Sequence, residues 1–390
     1  MKVLHLISSL APEFGGPPEL VRVLSNALTV CGCTVTIVSL DKGREIPELS
    51  KAVSHIALDP PLFKTRYSLS FQLMVWLWRN ARRFDVVVVH GIWMFLSLAA
   101  LITLRRLGVP FVIYAHGTLT NRSLFRATTK IAKKLFYWAL IERYALRNAA
   151  AVIFTSEWEL IHSEKAAKAT KLHGVVIKNG LPPPPFESQE SSQRLSPRGP
   201  RPDPYFLCVG RLDPIKGFDI ALRSLAAINN PRFRLVIAGT GESGYEQYLS
   251  KMVSDLDMGN RVQFVGHVQG AQKWALIREA FALLAPSHHE NFGIALVEAL
   301  SVGCPVLTTR QVGVWREIER FQAGLLFAPN ADECADAIRR FVQLDTQEYL
   351  RYRNNALSCF DNEFSIDMTA RALKQLFSSL PNSQTRTPLL

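Results

Sequence analysis

The chain lacks any apolar run long enough to cross a bilayer. Its two longest, 67–78 and 92–104, fall short of the roughly 20 residues that a spanning helix needs. No signal peptide is expected either, because residues 1–10 carry one Lys, a strand-like alternation and no cleavage site. Cysteine is scarce: there are six, at 31, 33, 208, 304, 334 and 359, and only Cys31 and Cys33 lie close, without a second pair at metal-ligand spacing. That excludes a disulfide framework and points to buried thiols in a reduced, cytoplasmic compartment. A spanning location is therefore not expected, and a peripheral one at the inner face of the cell membrane stays open. Acidic residues are sparse in one half only. Residues 1–180 hold 23 Lys and Arg against 11 Asp and Glu, a net +12, whereas the remainder holds 22 of each. The first half is thus expected to face something anionic, with solubility charge as the plainer alternative. No nucleic-acid motif or aromatic platform accompanies the charge, so nucleic acid is not expected as a partner.

What is present is apolar mass for two cores. Hydrophobic residues make up 48% and charged ones 20% of 390 residues, which suits two globular domains. Continuous Val/Ile/Leu runs recur at 2–7, 34–40, 85–90, 110–116, 151–155 and 174–178, then at 205–210, 233–239, 262–266, 281–286, 305–308 and 324–327. Such runs predict parallel strands buried on both faces, with amphipathic stretches between them as crossover helices. The fold class is therefore α/β: two doubly wound, Rossmann-like domains facing a central cleft. The predicted first domain is 1–180 and the second is 205–360. A Pro-rich linker at 181–204 separates them, and a C-terminal helix and tail at 361–390 could pack back on the first domain.

Ligands of such sheets bind beyond the carboxyl ends of the strands, so the residues after each strand carry the argument. Gly15 and Gly16 precede Pro17-Pro18 and a helical pattern, a turn that permits close backbone approach and offers helix N–H groups to an anion. His90-Gly91 and His116-Gly117 each end a strand. Either histidine could hydrogen-bond a sugar hydroxyl or act as a base, and His116 is the stronger candidate. Gly210-Arg211-Leu212-Asp213-Pro214-Ile215-Lys216-Gly217 sets two cations five residues apart on a glycine-bounded turn, suited to clamping a diphosphate leaving group. Gly239 and Gly266 each close a strand where main-chain groups could approach a ligand. In the stretch Ser287 to Leu300, Glu290 follows a strand, and Gly293 is expected to open a helix containing Glu298. The helix start would face a phosphate, and Glu298, set among apolar neighbours, needs a partner.

With these motifs in this order, the chain resembles the retaining glycosyltransferases of family 4, of GT-B architecture, from the Gly15-Gly16 loop to about residue 345. The resemblance rests on the E-x7-E element Glu290…Glu298 and the G-R-L-x-x-x-K-G element 210–217. It implies a sugar-transfer enzyme taking a nucleoside-diphosphate sugar as co-substrate, without cofactor or catalytic metal. Arg211 and Lys216 would bind the diphosphate and Glu298 the ribose. Glu290, with the amides of Asn291, Phe292 and Gly293, would meet the donor sugar. His116 would sit beside the transferred sugar and Gly16 near the phosphate or acceptor, with Gly15 and His90 as further acceptor-side candidates. Asn291 stands where the family usually has glycine. Asp255-Leu256-Asp257 spells D-x-D but falls at an expected helix end and is read as structural. The implied acceptor is a saccharide or a polyprenyl-linked saccharide of cell-surface polysaccharide or glycolipid synthesis. Arg126, Lys130, Lys133 and Lys134 share one face of an expected helix and could meet an anionic membrane. The rival readings are a nucleotide-sugar epimerase of similar architecture and a non-catalytic binder.

Overall fold

The computed structural model describes residues 1–390 apart from 63–66, 120–135, 168–169, 186–202, 229 and 381–390. It divides into two units, Met1–Gly180 joined by the chain from Ile366 onward, and Leu181–Ser365.

In the first unit the β-rich runs become β1 (Lys2–Leu6), β2 (Thr34–Ser39), β3 (Val53–Ala57), β4 (Val86–His90), β5 (Phe111–Tyr114), β6 (Ala151–Phe154) and β7 (Gly174–Val176). They form one sheet in the order β3-β2-β1-β4-β5-β6-β7, every pairing parallel. The second unit holds β8 (Tyr205–Val209), β9 (Arg234–Ala238), β10 (Val262–Gly266), β11 (Ala282–Ala285), β12 (Val306–Thr309) and β13 (Gly324–Phe327), in the order β10-β9-β8-β11-β12-β13. These strands too are all parallel. In each sheet the chain runs outward to one edge and then returns beside its first strand. The order therefore reverses between β1 and β4 and again between β8 and β11, the positions where open α/β sheets bind ligands.

The helices that cover the first sheet are α1 (Gly16–Val30), α2 (Phe71–Asn80), α3 (Phe95–Leu107), α4 (Arg143–Asn148) and α5 (Glu157–Ala167). Those of the second unit are α6 (Phe218–Ala226), α7 (Ser243–Asp255), α8 (Gly270–Glu279), α9 (Ile294–Ser301), α10 (Trp315–Phe321), α11 (Ala331–Val342) and α12 (Thr346–Glu363). Alternate residues of each strand feed opposite cores. Leu4, Leu6, Val87 and Val89 enter one face of the first sheet, and Val3, Ile37, Val88 and Tyr114 the other. Among the described residues no helix is long and apolar enough to cross a membrane. None of the six cysteines is disulfide-bonded, and all but Cys31 are buried.

Two departures from the sequence reading concern boundaries. Leu181, placed in the linker by its prolines, belongs to the second unit: its N–H donates to the Phe364 carbonyl at 2.8 Å. The break between the last two helices falls at 364–365 rather than at 360, because α12 continues to Glu363 behind a capping box made by Asp345 and Glu348. The final helix, α13 (Ile366–Ser379), is part of the first unit. Its Lys374 Nζ donates to the Cys31 carbonyl at 2.6 Å and its Thr369 hydroxyl to that of Lys178 at 2.8 Å. β3 was missed because an edge strand has one partner, and Val-Ser-His-Ile-Ala lacks a continuous apolar run.

One buried charge gives the first unit a pH dependence. Glu142 ends a π-helical turn before α4 and is fully buried. Its Oε2 accepts the Trp93 N–H at 3.2 Å, while Oε1 has no partner among the described residues. Burial raises this carboxyl from 4.5 to about 7, against the opposing effects of the nearby Ser97 hydroxyl and of the Trp93 N–H. Between those values the folded chain binds the proton that the unfolded chain has lost, so stability falls as pH rises. Glu142→Gln is expected to stabilise the chain by up to about 3 kcal/mol at pH 8 and hardly at all at pH 4. Thermal melts of both proteins across that range check it; a variant that melts at or below wild type at pH 8 refutes it.

Candidate active site

The switch point of the second sheet carries a cavity of about 370 Å³, lined among others by Gly210, Lys216, Lys273, Glu290, Gly293 and Glu298. Lys216 arrives from the loop after β8. There Asp213 caps a 3-10 turn, Pro214 to Lys216, by accepting the Ile215 N–H at 3.0 Å. Glu290 arrives from the loop after β11, and its backbone is fixed before its side chain matters. Its N–H donates to the Gln311 carbonyl at 3.0 Å, and its carbonyl accepts from the Gly313 N–H at 2.9 Å. Across the cavity the Lys216 ammonium and the Glu290 carboxylate form an ion pair, each about a quarter exposed.

Three residues on, Gly293 (φ +101°) is the N-cap of α9. It has no side chain to satisfy the helix's first N–H groups, which leaves that end electrostatically suited to an anion. One turn into α9, the nearly buried Glu298 meets Lys273 of α8 at 2.6 Å. Lys273 also lies 5.3 Å from the Trp274 ring centroid. Two Lys–Glu pairs thus border a helix N-terminus, and each lysine is neutralised in place by a carboxylate.

Several predicted donor-site residues stand elsewhere. Arg211 is 70% exposed, pairs with Asp213 at 2.9 Å and does not line the cavity. The turn that presents Lys216 inward presents Arg211 to solvent. Phe292 is buried against the Phe364 ring, centroids 5.9 Å apart, so what this position could offer a ligand is backbone. The Asn291 carbonyl abuts Gly313, where an added Cβ would approach it to 2.0 Å. Gly239 is occupied by the fold: the Gly210 carbonyl lies where its Cβ would be. Gly266 accepts the Gly239 N–H at 2.7 Å and is not part of the cavity wall. Asp255 ends α7 and Asp257 (φ +52°) sits in the turn after it, both outside the cavity. Lys273 escaped the sequence reading, since nothing in an amphipathic Gly-Ala-Gln-Lys-Trp stretch marks it.

In the first unit, Gly15 is the N-cap of α1 and lines a small pocket of about 80 Å³ with Glu19 and Arg22, while Gly16 is the first helical residue. His90 is buried rather than facing solvent. Its Nε2 lies 2.8 Å from His5 Nδ1, and its Nδ1 lies 3.1 Å from His116 Nε2. His116 is half-buried, in a left-handed conformation (φ +50°) rare for a non-glycine residue. Its loop is held from below by Glu159, which accepts the Gly117 N–H at 2.6 Å and the Thr155 N–H at 2.8 Å. Burial depresses the His5 imidazole to about 3 and His116 to about 4, and holds His90 well below its ordinary 6.5. All three rings are therefore neutral at neutral pH. Arg126, Lys130, Lys133 and Lys134 lie outside the described residues.

Comparisons with known proteins agree with this geometry. Residues 191–358 match the model of the group 1 glycosyl transferases, and residues 14–183 match that of glycosyltransferase family 4. A GDP-mannose:cellobiosyl-diphosphopolyprenol alpha-mannosyltransferase of Xanthomonas oryzae pv. oryzae is 29% identical over 79% of this chain and 78% of its own. The lipopolysaccharide core biosynthesis mannosyltransferase LpsB of Rhizobium meliloti is 27% identical over 90% and 94%. Among solved structures, HepE of Anabaena in complex with UDP superposes with a TM-score of 0.71 at 22% identity, covering 97% of this chain and all of its own. WaaG, a glycosyltransferase of lipopolysaccharide biosynthesis, does so with 0.62 at 17%, covering 96% and 99%. With both halves matched in order and each built on a doubly wound parallel sheet, the chain belongs to the group 1, family 4 glycosyltransferases of GT-B fold.

Proposed function

We propose that the chain transfers a sugar from a nucleoside-diphosphate donor to a polyprenyl-diphosphate-linked saccharide, with retention of anomeric configuration and without a metal. The observation that carries this is the pairing of Lys216 with Glu290 and of Lys273 with Glu298 on either side of the α9 N-terminus. An arriving diphosphate would draw Lys216 away from Glu290 and lie against the helix end. Glu290 would then be free to accept from hydroxyls of the donor sugar, while Glu298, steadied by Lys273, accepts from the ribose. As the leaving phosphate gains charge, the Lys216 ammonium stabilises it where many enzymes use a metal. Both cavity glutamates are ion-paired in place, so neither is poised as a nucleophile. That favours a front-face path, in which the leaving phosphate assists proton removal from the acceptor.

The relatives that transfer mannose, one of them to a diphosphopolyprenol, favour GDP-mannose as first donor and a lipid-linked acceptor. On α2, Phe71, Val75 and Trp78 follow helical spacing and are 62%, 49% and 53% exposed, with Arg79, Arg82 and Arg83 next along the chain. An apolar stripe rimmed by cations suits the surface of an anionic membrane where such acceptors reside. The test is a thermal-shift screen of nucleotide sugars followed by product analysis with and without a polyprenyl-linked acceptor, in buffer containing EDTA. Binding of GDP-mannose with transfer only when acceptor is present is expected. Conversion of donor alone to an isomer would mean an epimerase, and no binding by any nucleotide sugar would refute the reading.

Lys273 allows a narrower check. Lys273→Ala is expected to raise donor KM about tenfold and leave kcat nearly unchanged, because the ribose contact is made equally in ground and transition states. A fall in kcat with KM constant would show that Lys273 serves the chemical step instead.

A further inference from the structure

Three histidines lie in a line across the centre of the first sheet, and their registers explain why. His5 in β1 is aligned with Val88 of β4, so His90 lies two residues further on and on the same face. His90 is in turn aligned with Tyr114 of β5, so His116 lies two residues further again. Each step moves one strand across and two residues up, which brings the imidazoles together diagonally. Their centroids are 5.1 Å apart for His5–His90 and 5.3 Å for His90–His116, and the Tyr114 ring stacks 4.7 Å from His116.

A neutral imidazole has one N–H and one lone pair, so two hydrogen bonds among three rings allow two directions only. With protons on every Nε2, His116 donates inward, and the chain ends in an N–H at His5 Nε2. With protons on every Nδ1, His5 donates to His90, His90 donates to His116, and His5 Nε2 is a bare lone pair. His5 Nε2 is buried and has no partner among the described residues. A buried N–H without an acceptor is the rarer and costlier defect, because an unpaired lone pair is tolerated more often than an unpaired donor. The sheet thus selects the second direction, and the proton left over at the surface end is on His116 Nδ1.

We infer that His5 and His90 are positioning residues that fix His116 as a neutral Nδ1–H donor, aimed at a hydroxyl or phosphoryl oxygen of the substrate, and not a base. This rests on the reading of His116 as part of the glycosyltransferase site. A proton arriving at His116 Nδ1 finds it already occupied, and Nε2 is engaged by His90. Accepting it requires all three rings to exchange tautomers and leaves an unpaired N–H at His5. The low proton affinities of the three rings agree with that obstacle. The other groups around His116 do not supply an alternative proton: the Tyr114 hydroxyl donates to Asn179 at 2.7 Å, and the Glu159 carboxylate is held by main-chain N–H groups.

The experiment is long-range 1H–15N correlation on the full chain labelled with 15N-histidine, assigned through single His→Phe variants at 5, 90 and 116. All three rings are expected to be protonated on Nδ1 and to remain so from about pH 5.5 to 8, because their proton affinities lie below that range. Removing the inner end with His5→Phe is expected to leave His90 and His116 as mixed tautomers. Should His5→Phe fail to fold, the wild-type spectrum decides alone. A wild-type His116 protonated on Nε2, or titrating near the ordinary histidine range, overturns the inference. A second arm uses GDP-mannose turnover: His116→Ala should lose about 100-fold in kcat, and His116→Asn, which restores an N–H, should lose less. A His116→Ala kcat within about twofold of wild type overturns the donor role. Whether the chain transfers sugar at all is judged on wild-type turnover, so the two failures are distinguishable.

Discussion

Lys216→Ala and Glu290→Gln are each expected to lower turnover by about 10² to 10³, equivalent to about 3–4 kcal/mol of transition-state stabilisation. Neither should move the melting temperature by more than a few degrees. The pair is about a quarter exposed, and a partly solvated ion pair contributes roughly 1 kcal/mol or less. The two losses should also fail to add. Removing Lys216 deprives the leaving phosphate of its cation, while neutralising Glu290 loosens both the sugar contact and the lysine's resting position. The double variant should therefore be little worse than the poorer single one. Turnover and thermal melts of the four proteins check this. If either single variant keeps wild-type turnover, the cavity at the β8/β11 switch point is not where the chemistry occurs.

Much of this arrangement was legible beforehand, for a reason specific to parallel sheets. Strands buried on both faces read as unbroken apolar runs, and the ligand-binding residues come immediately after them. Lys216 and Glu290 could be found by reading on from 205–209 and 282–285. The same rule does not orient Arg211, because adjacency to a strand end fixes where a residue is and not where its side chain points. In the turn capped by Asp213, Arg211 and Pro214 face solvent, and Arg211 pairs there with the Asp213 carboxylate. Lys273 and Glu159 were missed because both are helical residues defined by what another segment brings to them. His5 sat unnoticed inside a strand run. It becomes meaningful only once the β1–β4–β5 registers are known, and a sequence without pairing partners does not supply registers.

Gly239→Ala is expected to destabilise the second unit by at least about 3 kcal/mol, lowering its melting temperature by roughly 8 °C or more. The backbone there has φ +148°, a conformation that L side chains rarely adopt. An added Cβ would stand 1.8 Å from the Gly210 carbonyl oxygen. That oxygen belongs to a loop held by the Gly210 N–H to Ala238 carbonyl bond at 3.0 Å and the Leu212 N–H to Thr240 carbonyl bond at 3.0 Å. The contact is between main chains, and no side chain can rotate to relieve it. Gly210 itself lines the cavity, so relaxation that saves the fold must shift the loop presenting Lys216, and activity should fall beyond the loss in stability. Gly244→Ala is the matched control. It lies in the first turn of α7 with open space where its Cβ would go, and alanine there should leave the melt unchanged or slightly raised. Melting curves of the two variants side by side test the argument. If Gly239→Ala melts with Gly244→Ala, the close approach of the two loops does not constrain this site, and Gly239 must be explained by ligand contact instead.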